Sequence, residues 1–121
     1  MSADQAPLTV AQLAQRLQQF ADAREWGQFH SPKNLASALI VEAGELLEHF
    51  QWMTEAQSRS LDADKKQAVA HEMADVLLYL VQLSSALGVD LMAAASEKMA
   101  LNEQKYPVDV AKGSSRKYDA R

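Results

Sequence analysis

The sequence predicts an all-α fold of four main helices, and three observations carry the prediction. Alanine, leucine and glutamine are the commonest of the 121 residues, β-branched residues are few, and there are 4 glycines and 3 prolines, a composition that favours helix. Apolar residues recur at three- and four-residue spacing, the period of a helix face, without the alternation of strands. Capping and breaking residues then fall where such helices need to start and stop.

Residues 1–8 read as a loose leader. Thr9 with Gln12 three positions on forms a capping box, and Val10, Leu13, Leu17 and Phe20 continue an amphipathic helix to about Arg24. Ser31 followed by Pro32 starts a second helix, serine as N-cap and proline at the first helical position, running to about Gln51. Met53 to Asp64 is a polar connector with one short helical turn expected after Thr54. A third helix begins near Asp62 or Asp64 and ends at Leu87, where Gly88 supplies the C-terminal cap. Asp90 caps a fourth helix to about Lys105, which stops ahead of Pro107 because the residue before proline disfavours helical geometry. Residues 108–121 form a basic tail carrying Lys112, Arg116, Lys117 and Arg121 against Asp109 and Asp119.

The length fits a single domain over 1–121. The second and third helices carry apolar residues on more than one face: Leu35, Leu39, Ile40, Val41, Leu46 and Leu47 in one, Met73 to Val81 in the other. Helices apolar nearly all round must be covered nearly all round. Four helices in one small subunit cannot cover both, so the expected bundle is completed by oligomerisation, as a homodimer or homotetramer. Without cysteine there is no disulfide, thiolate chemistry or thiolate zinc site. A net charge of −4 argues against binding a nucleic-acid polymer. No stretch has the apolar length to cross a membrane and no signal-peptide pattern opens the chain, so a cytoplasmic location is expected.

The acids carry the functional information. Glu42-x-x-Glu45 and Glu72-x-x-Asp75 each place two carboxylates one turn apart on one helix face. No lysine or arginine lies between Lys33 and Arg59, and none between Lys66 and Lys98, so neighbours on the same helix cannot neutralise them. Such pairs also decorate solvated helix faces, but two pairs in two cation-free windows concentrate negative charge that needs an external cation. An all-oxygen donor set suits Mg²⁺, or Mn²⁺, shared with substrate phosphates.

Other groups extend the two faces. Glu42, Glu45, His49 and Trp52 fall at i, i+3, i+7 and i+10, and Glu72, Asp75, Tyr79 and Gln82 repeat the spacing. Each face runs from acids to groups that stack or hydrogen-bond, which suits a ligand with an anionic end and a flat end. Core packing is the commoner fate of Trp52 and Tyr79, and His49 reads equally as a half-exposed surface histidine. Glu48 is a further ligand or base. Lys98, Asn102 and Lys105 lie at i, i+4 and i+7, a row able to hold a phosphate chain, although a solvated face with Glu97 and Glu103 looks alike. Trp26, Phe29 and His30 put three rings in one loop, which either folds back on a core or closes over a ligand.

These residues resemble a known family. The runs Glu42-Ala-Gly-Glu45-Leu-Leu-Glu48-His-Phe-Gln-Trp52, Glu72-Met-Ala-Asp75-Val-Leu-Leu-Tyr79-Leu and Lys98-Met-Ala-Leu-Asn102-Glu-Gln-Lys105-Tyr106-Pro107 are similar to the MazG-type all-α nucleoside triphosphate pyrophosphohydrolases, nearest the dCTP pyrophosphatase branch. The similarity extends from Trp26 to the Ser114-Ser-Arg-Lys-Tyr118 tail. It implies a MazG-like bundle and Mg²⁺-dependent hydrolysis of a nucleoside triphosphate, dCTP or a modified dCTP, between the α and β phosphates, in the service of nucleotide-pool sanitising. It implies that Glu42, Glu45, Glu72 and Asp75 hold the metal, and that Glu45 or Glu48 orients the attacking water. By the same resemblance Lys98, Asn102, Lys105 and Tyr106 hold phosphates, while Trp26, His30, Trp52 and Tyr79 frame the base and sugar. Mammalian members carry histidine where this chain has Leu17, a departure that touches base selection. Two rival readings stand beside this one. A carboxylate-bridged di-iron bundle needs Glu-x-x-His motifs, which the sequence lacks, and a non-catalytic helical nucleotide-binding or protein-interaction module leaves the unpaired acids without a role.

Overall fold

A computed structural model describes residues 8–115. Among them there are six helices and no strand: α1 Val10–Ala23, α2 Pro32–Glu48, α3 Glu55–Ser58, α4 Ala63–Leu87, α5 Leu91–Lys105 and α6 Val108–Ala111, with a 3₁₀ turn at Trp26–Phe29. The four long helices are the four expected from the sequence. The chain divides into two compact units, Met1–Gly88 and Val89–Arg121.

In the first unit α2 lies along α4, and α1 packs on α4. The core is small: Ala21, Leu35, Val69 and Val81 are buried, with the Ser84 hydroxyl turned back on the Val81 carbonyl. Local chemistry explains the helix ends. Thr9 caps α1 reciprocally with Gln12, Ser31 accepts from the Asn34 amide ahead of Pro32, Thr54 and Gln57 repeat the capping box for α3, and Asp62 accepts from the Lys65 amide at 2.8 Å. Gly88 closes α4 at φ 69°, a left-handed conformation that a side chain disfavours.

Two boundaries differ from the sequence expectation. Helix α2 ends at Glu48, not near Gln51, and His49 to Met53 form turns in which the Phe50 and Gln51 amides both bond the Leu47 carbonyl. Trp52 therefore leaves the face it would share with Glu42 and Glu45, and it is 90% exposed instead of packing into a core. After Pro107 the chain forms the short helix α6 where a tail was expected, proline serving as the residue before a new first turn. The leader up to residue 7 and the tail residues Arg116, Lys117, Asp119 and Arg121 lie outside the described residues.

The second unit is α5 with α6. Asp90 caps α5 by accepting from the Ala93 amide at 3.0 Å, and Tyr106 terminates it. Among the described residues no single helix is long and apolar enough to cross a membrane.

Candidate metal and nucleotide site

Three of the four predicted acids meet. Because α2 and α4 lie side by side, Glu42 and Glu45 from one helix and Glu72 from the other bring carboxylate oxygens within 4.8 Å of one another, all three residues half-buried. One oxygen each of Glu42 and Glu72 is sealed from solvent and has no hydrogen-bond partner among the described residues. An unpaired buried carboxylate oxygen is costly.

Burial, then the adjoining Glu72 and Glu45 side chains, then the charges of Glu45 and Asp75, push the Glu42 carboxyl up from 4.5 to about 7. Two ionised carboxylates have no proton to share, so any hydrogen bond among these three requires one of them to be protonated. Asp75, one turn beyond Glu72, belongs to the same field and also lines the adjoining cleft. A hard divalent cation fits this donor set: it would supply the missing partner for the two orphaned oxygens and offset the charge of the clustered carboxylates. Lys65, from the first turn of α4, sets its Nζ 3.4 Å from His49 Nδ1 just past the end of α2. Glu48, the last residue of α2, is exposed and lies outside the three-carboxylate cluster.

Next to the acids, α4 and α1 enclose a cleft of about 390 Å³. Trp26, His30, Asp75 and Tyr79 line it, joining one predicted metal ligand to three of the four predicted base and sugar residues. Trp52 does not line it. The aromatic loop folds back: Trp26 meets Phe20 edge to face at 5.6 Å and His30 at 6.3 Å, and Arg24 lies 3.6 Å over the Phe20 ring. The turn is held by Glu25 at φ 54° and by the Asn34 amide donating to the Phe29 carbonyl at 3.0 Å. Phe29 does not line the cleft and is 60% exposed. The opposite wall comes from α1, with Leu13, Leu17 and Phe20. Sequence periodicity marks α1 as amphipathic but does not say that its apolar face borders a cleft, and only Leu17, through the family resemblance, pointed there. Gln82, like Leu8, Arg16 and Leu78, lines the cleft without having been in any site assignment, although its place on the stripe of Glu72, Asp75 and Tyr79 was the signal that marked it.

The second unit carries the predicted phosphate residues. Lys98 and Asn102 are exposed one turn apart on α5, Lys105 is its half-buried last residue, and Tyr106 is half-buried just beyond it.

A MazG-like family model matches residues 38–120. Over 102 residues the chain is 44% identical to dCTP pyrophosphatase 1 of Homo sapiens and 45% identical to that of Mus musculus, covering 83% of this chain. The chain spans 60% of the length of these relatives. A crystal structure of a pyrophosphatase from Archaeoglobus fulgidus superposes with a TM-score of 0.69 at 35% identity, covering 84% of this chain and 95% of that one. With Glu42, Glu45 and Glu72 brought together by α2 and α4, and a family model that takes in both acidic motifs, the chain belongs to the MazG-like family.

Proposed function

We propose that the whole chain acts as one pyrophosphohydrolase domain that hydrolyses a nucleoside triphosphate, dCTP or a modified dCTP, to the monophosphate and pyrophosphate. The observation that carries this reading is the half-buried three-carboxylate cluster with two orphaned oxygens beside an aromatic-lined cleft. The named activity of the relatives, dCTP pyrophosphatase, supports the choice of substrate.

Glu42, Glu45, Glu72 and Asp75 hold Mg²⁺, with Mn²⁺ as a substitute. When bound, the cation neutralises phosphate charge and polarises the α phosphorus. The remaining work falls to the chain. Phosphoryl chemistry asks mainly for positioning and charge stabilisation. Glu45, with Glu48 as the second candidate, accepts a proton from the attacking water and aligns it. Lys98, Asn102, Lys105 and Tyr106 bind phosphate oxygens, a role their row of donors along and beyond α5 suits. Trp26, His30 and Tyr79 hold the nucleoside in the cleft and keep water from its faces. Trp52, exposed on its own protomer, completes the base-binding wall from across a subunit interface in a homodimer or homotetramer. The task is sanitising of the nucleotide pool in the cytoplasm, where a chain without cysteine loses nothing to a reducing environment.

The test is release of monophosphate and pyrophosphate from canonical and modified deoxynucleoside triphosphates, with and without Mg²⁺. Turnover that favours dCTP or its modified forms and disappears with chelator is the expected result. No product from any triphosphate would leave a nucleotide-binding module.

A further inference from the structure

We propose that Gln82 reads the hydrogen-bonding edge of the base, an inference that rests on the nucleotide reading above and adds to it a specificity-determining residue. The argument begins with the ruler that α4 provides. Asp75, Tyr79 and Gln82 fall at i, i+4 and i+7 and all line the same cleft. At a helical rise of 1.5 Å per residue, Gln82 lies about 10 Å along the axis from Asp75. With phosphate held at the acidic end, that offset sets Gln82 at the far end, where the base of a nucleotide arrives after the sugar.

Gln82 is also chemically singular there. The polar groups of the cleft are those of Arg16, Trp26, His30, Asp75, Tyr79 and Gln82, set among apolar and aromatic walls. Arginine and the tryptophan indole only donate, and an ionised aspartate only accepts. Neutral histidine has its donor and acceptor on different ring positions, and tyrosine has one hydroxyl. Only the Gln82 amide presents a donor and an acceptor side by side in one plane, the complement of the N4–H and N3 pair of cytosine. That amide is half-buried, yet it has no hydrogen-bond partner among the described residues. Behind it lies a second cavity of about 210 Å³, which also borders Leu17, His30 and Gln82, so the amide has room to turn. Turning exchanges its donor and acceptor, and the flipped amide then complements the O4 and N3–H pair of a keto pyrimidine. Gln82 therefore demands a paired edge without itself separating amino from keto bases.

The experiment compares equilibrium binding of dCTP and of its 4-deamino analogue, 2-pyrimidinone deoxynucleoside triphosphate, by the full chain and by Gln82→Met, which keeps length and helix preference but removes the amide. Titration calorimetry with Mg²⁺ present, on the non-hydrolysable α,β-imido forms of both triphosphates, reads both affinities, and Gln82→Leu repeats the test should the methionine variant lose its helical signal. The wild-type protein is expected to prefer dCTP by on the order of 10–100-fold, the range of a bidentate amide-to-base contact. The preference is expected to collapse to near unity in the variant, chiefly through weaker dCTP binding. Equal weakening of both ligands would mean that Gln82 only shapes the fold, and equal wild-type affinities would mean that nothing reads the edge; either overturns the proposal. A collapsed preference in a protein that turns over no triphosphate removes the reaction and keeps the base reader. Turnover with an unchanged preference does the reverse.

Discussion

At the scale of single residues, Glu42 decides how the protein responds to pH. Its carboxyl stands at about 7 in the folded protein, raised from 4.5 by burial first and by the neighbouring acids second. A carboxyl whose folded value is raised binds more protons folded than unfolded between those two values, so stability falls as pH rises through that window. In chelator, the urea midpoint is expected to decline from pH 4.5 to pH 7 and then level. Glu42→Gln, which is neutral throughout, should flatten that decline, and Mg²⁺ should flatten it in the wild-type protein by replacing the proton. A midpoint that rises across the window in chelator, or a slope indifferent to both changes, would contradict the assignment. Catalysis should respond differently from stability. Glu45→Gln and Asp75→Asn are expected to abolish turnover and leave the far-ultraviolet helical signal near wild type, and substantial Mg²⁺-dependent product release by either variant would remove these carboxylates from the metal site.

At the scale of elements, α4 is the ruler of the site, and its largely exposed first turn is held by one side-chain cap. Asp62→Ala removes the acceptor for the Lys65 amide. A lost N-cap costs about 1 kcal/mol, which corresponds to a Tm lower by roughly 4 °C for a chain of this size. Turnover at low temperature should not follow, because Glu72 lies nearly three turns beyond the cap; a thermal melt and an assay on one preparation separate the two. Elements such as this were legible in the sequence because caps are local: Thr9 with Gln12, Ser31 with Pro32, Asp62, Gly88 and Asp90 all act where the residue types suggest. The end of α2 was not legible. No glycine or proline marks it, and the amides of residues 49–51 still find the Leu46 and Leu47 carbonyls while the chain turns away. The acidic pairs could be read from helical period alone. The α1 wall of the cleft and the Lys65–His49 contact depend on which helices pack together, and that information is not carried by spacing along one helix.

At the scale of the whole molecule, the first unit leaves uncovered the apolar side chains that ordinarily build a core. Ile40, Val41 and Leu47 on α2, and Met73, Leu77 and Leu87 on α4, are all exposed, while the faces of these helices that carry the acids turn inward. Exposed apolar surface distributed along two helices is characteristic of an interaction site, and the sequence expectation of a shared bundle accounts for it with a second copy of the same faces. Sedimentation is expected to give a dimer or tetramer for the wild-type protein and a protomer for Ile40→Glu combined with Leu77→Glu. Trp52 supplies an internal reporter, because it is 90% exposed on the protomer and is one of two tryptophans. In a Trp26→Phe background its emission reports Trp52 alone. Assembly that covers this ring should shift the emission to shorter wavelength, and the interface-breaking pair should return it to that of a solvated indole. If the wild-type protein sediments as a protomer at assay concentrations and Trp52 emits as a solvated indole throughout, the chain works alone, and a neighbouring subunit contributes nothing to its cleft.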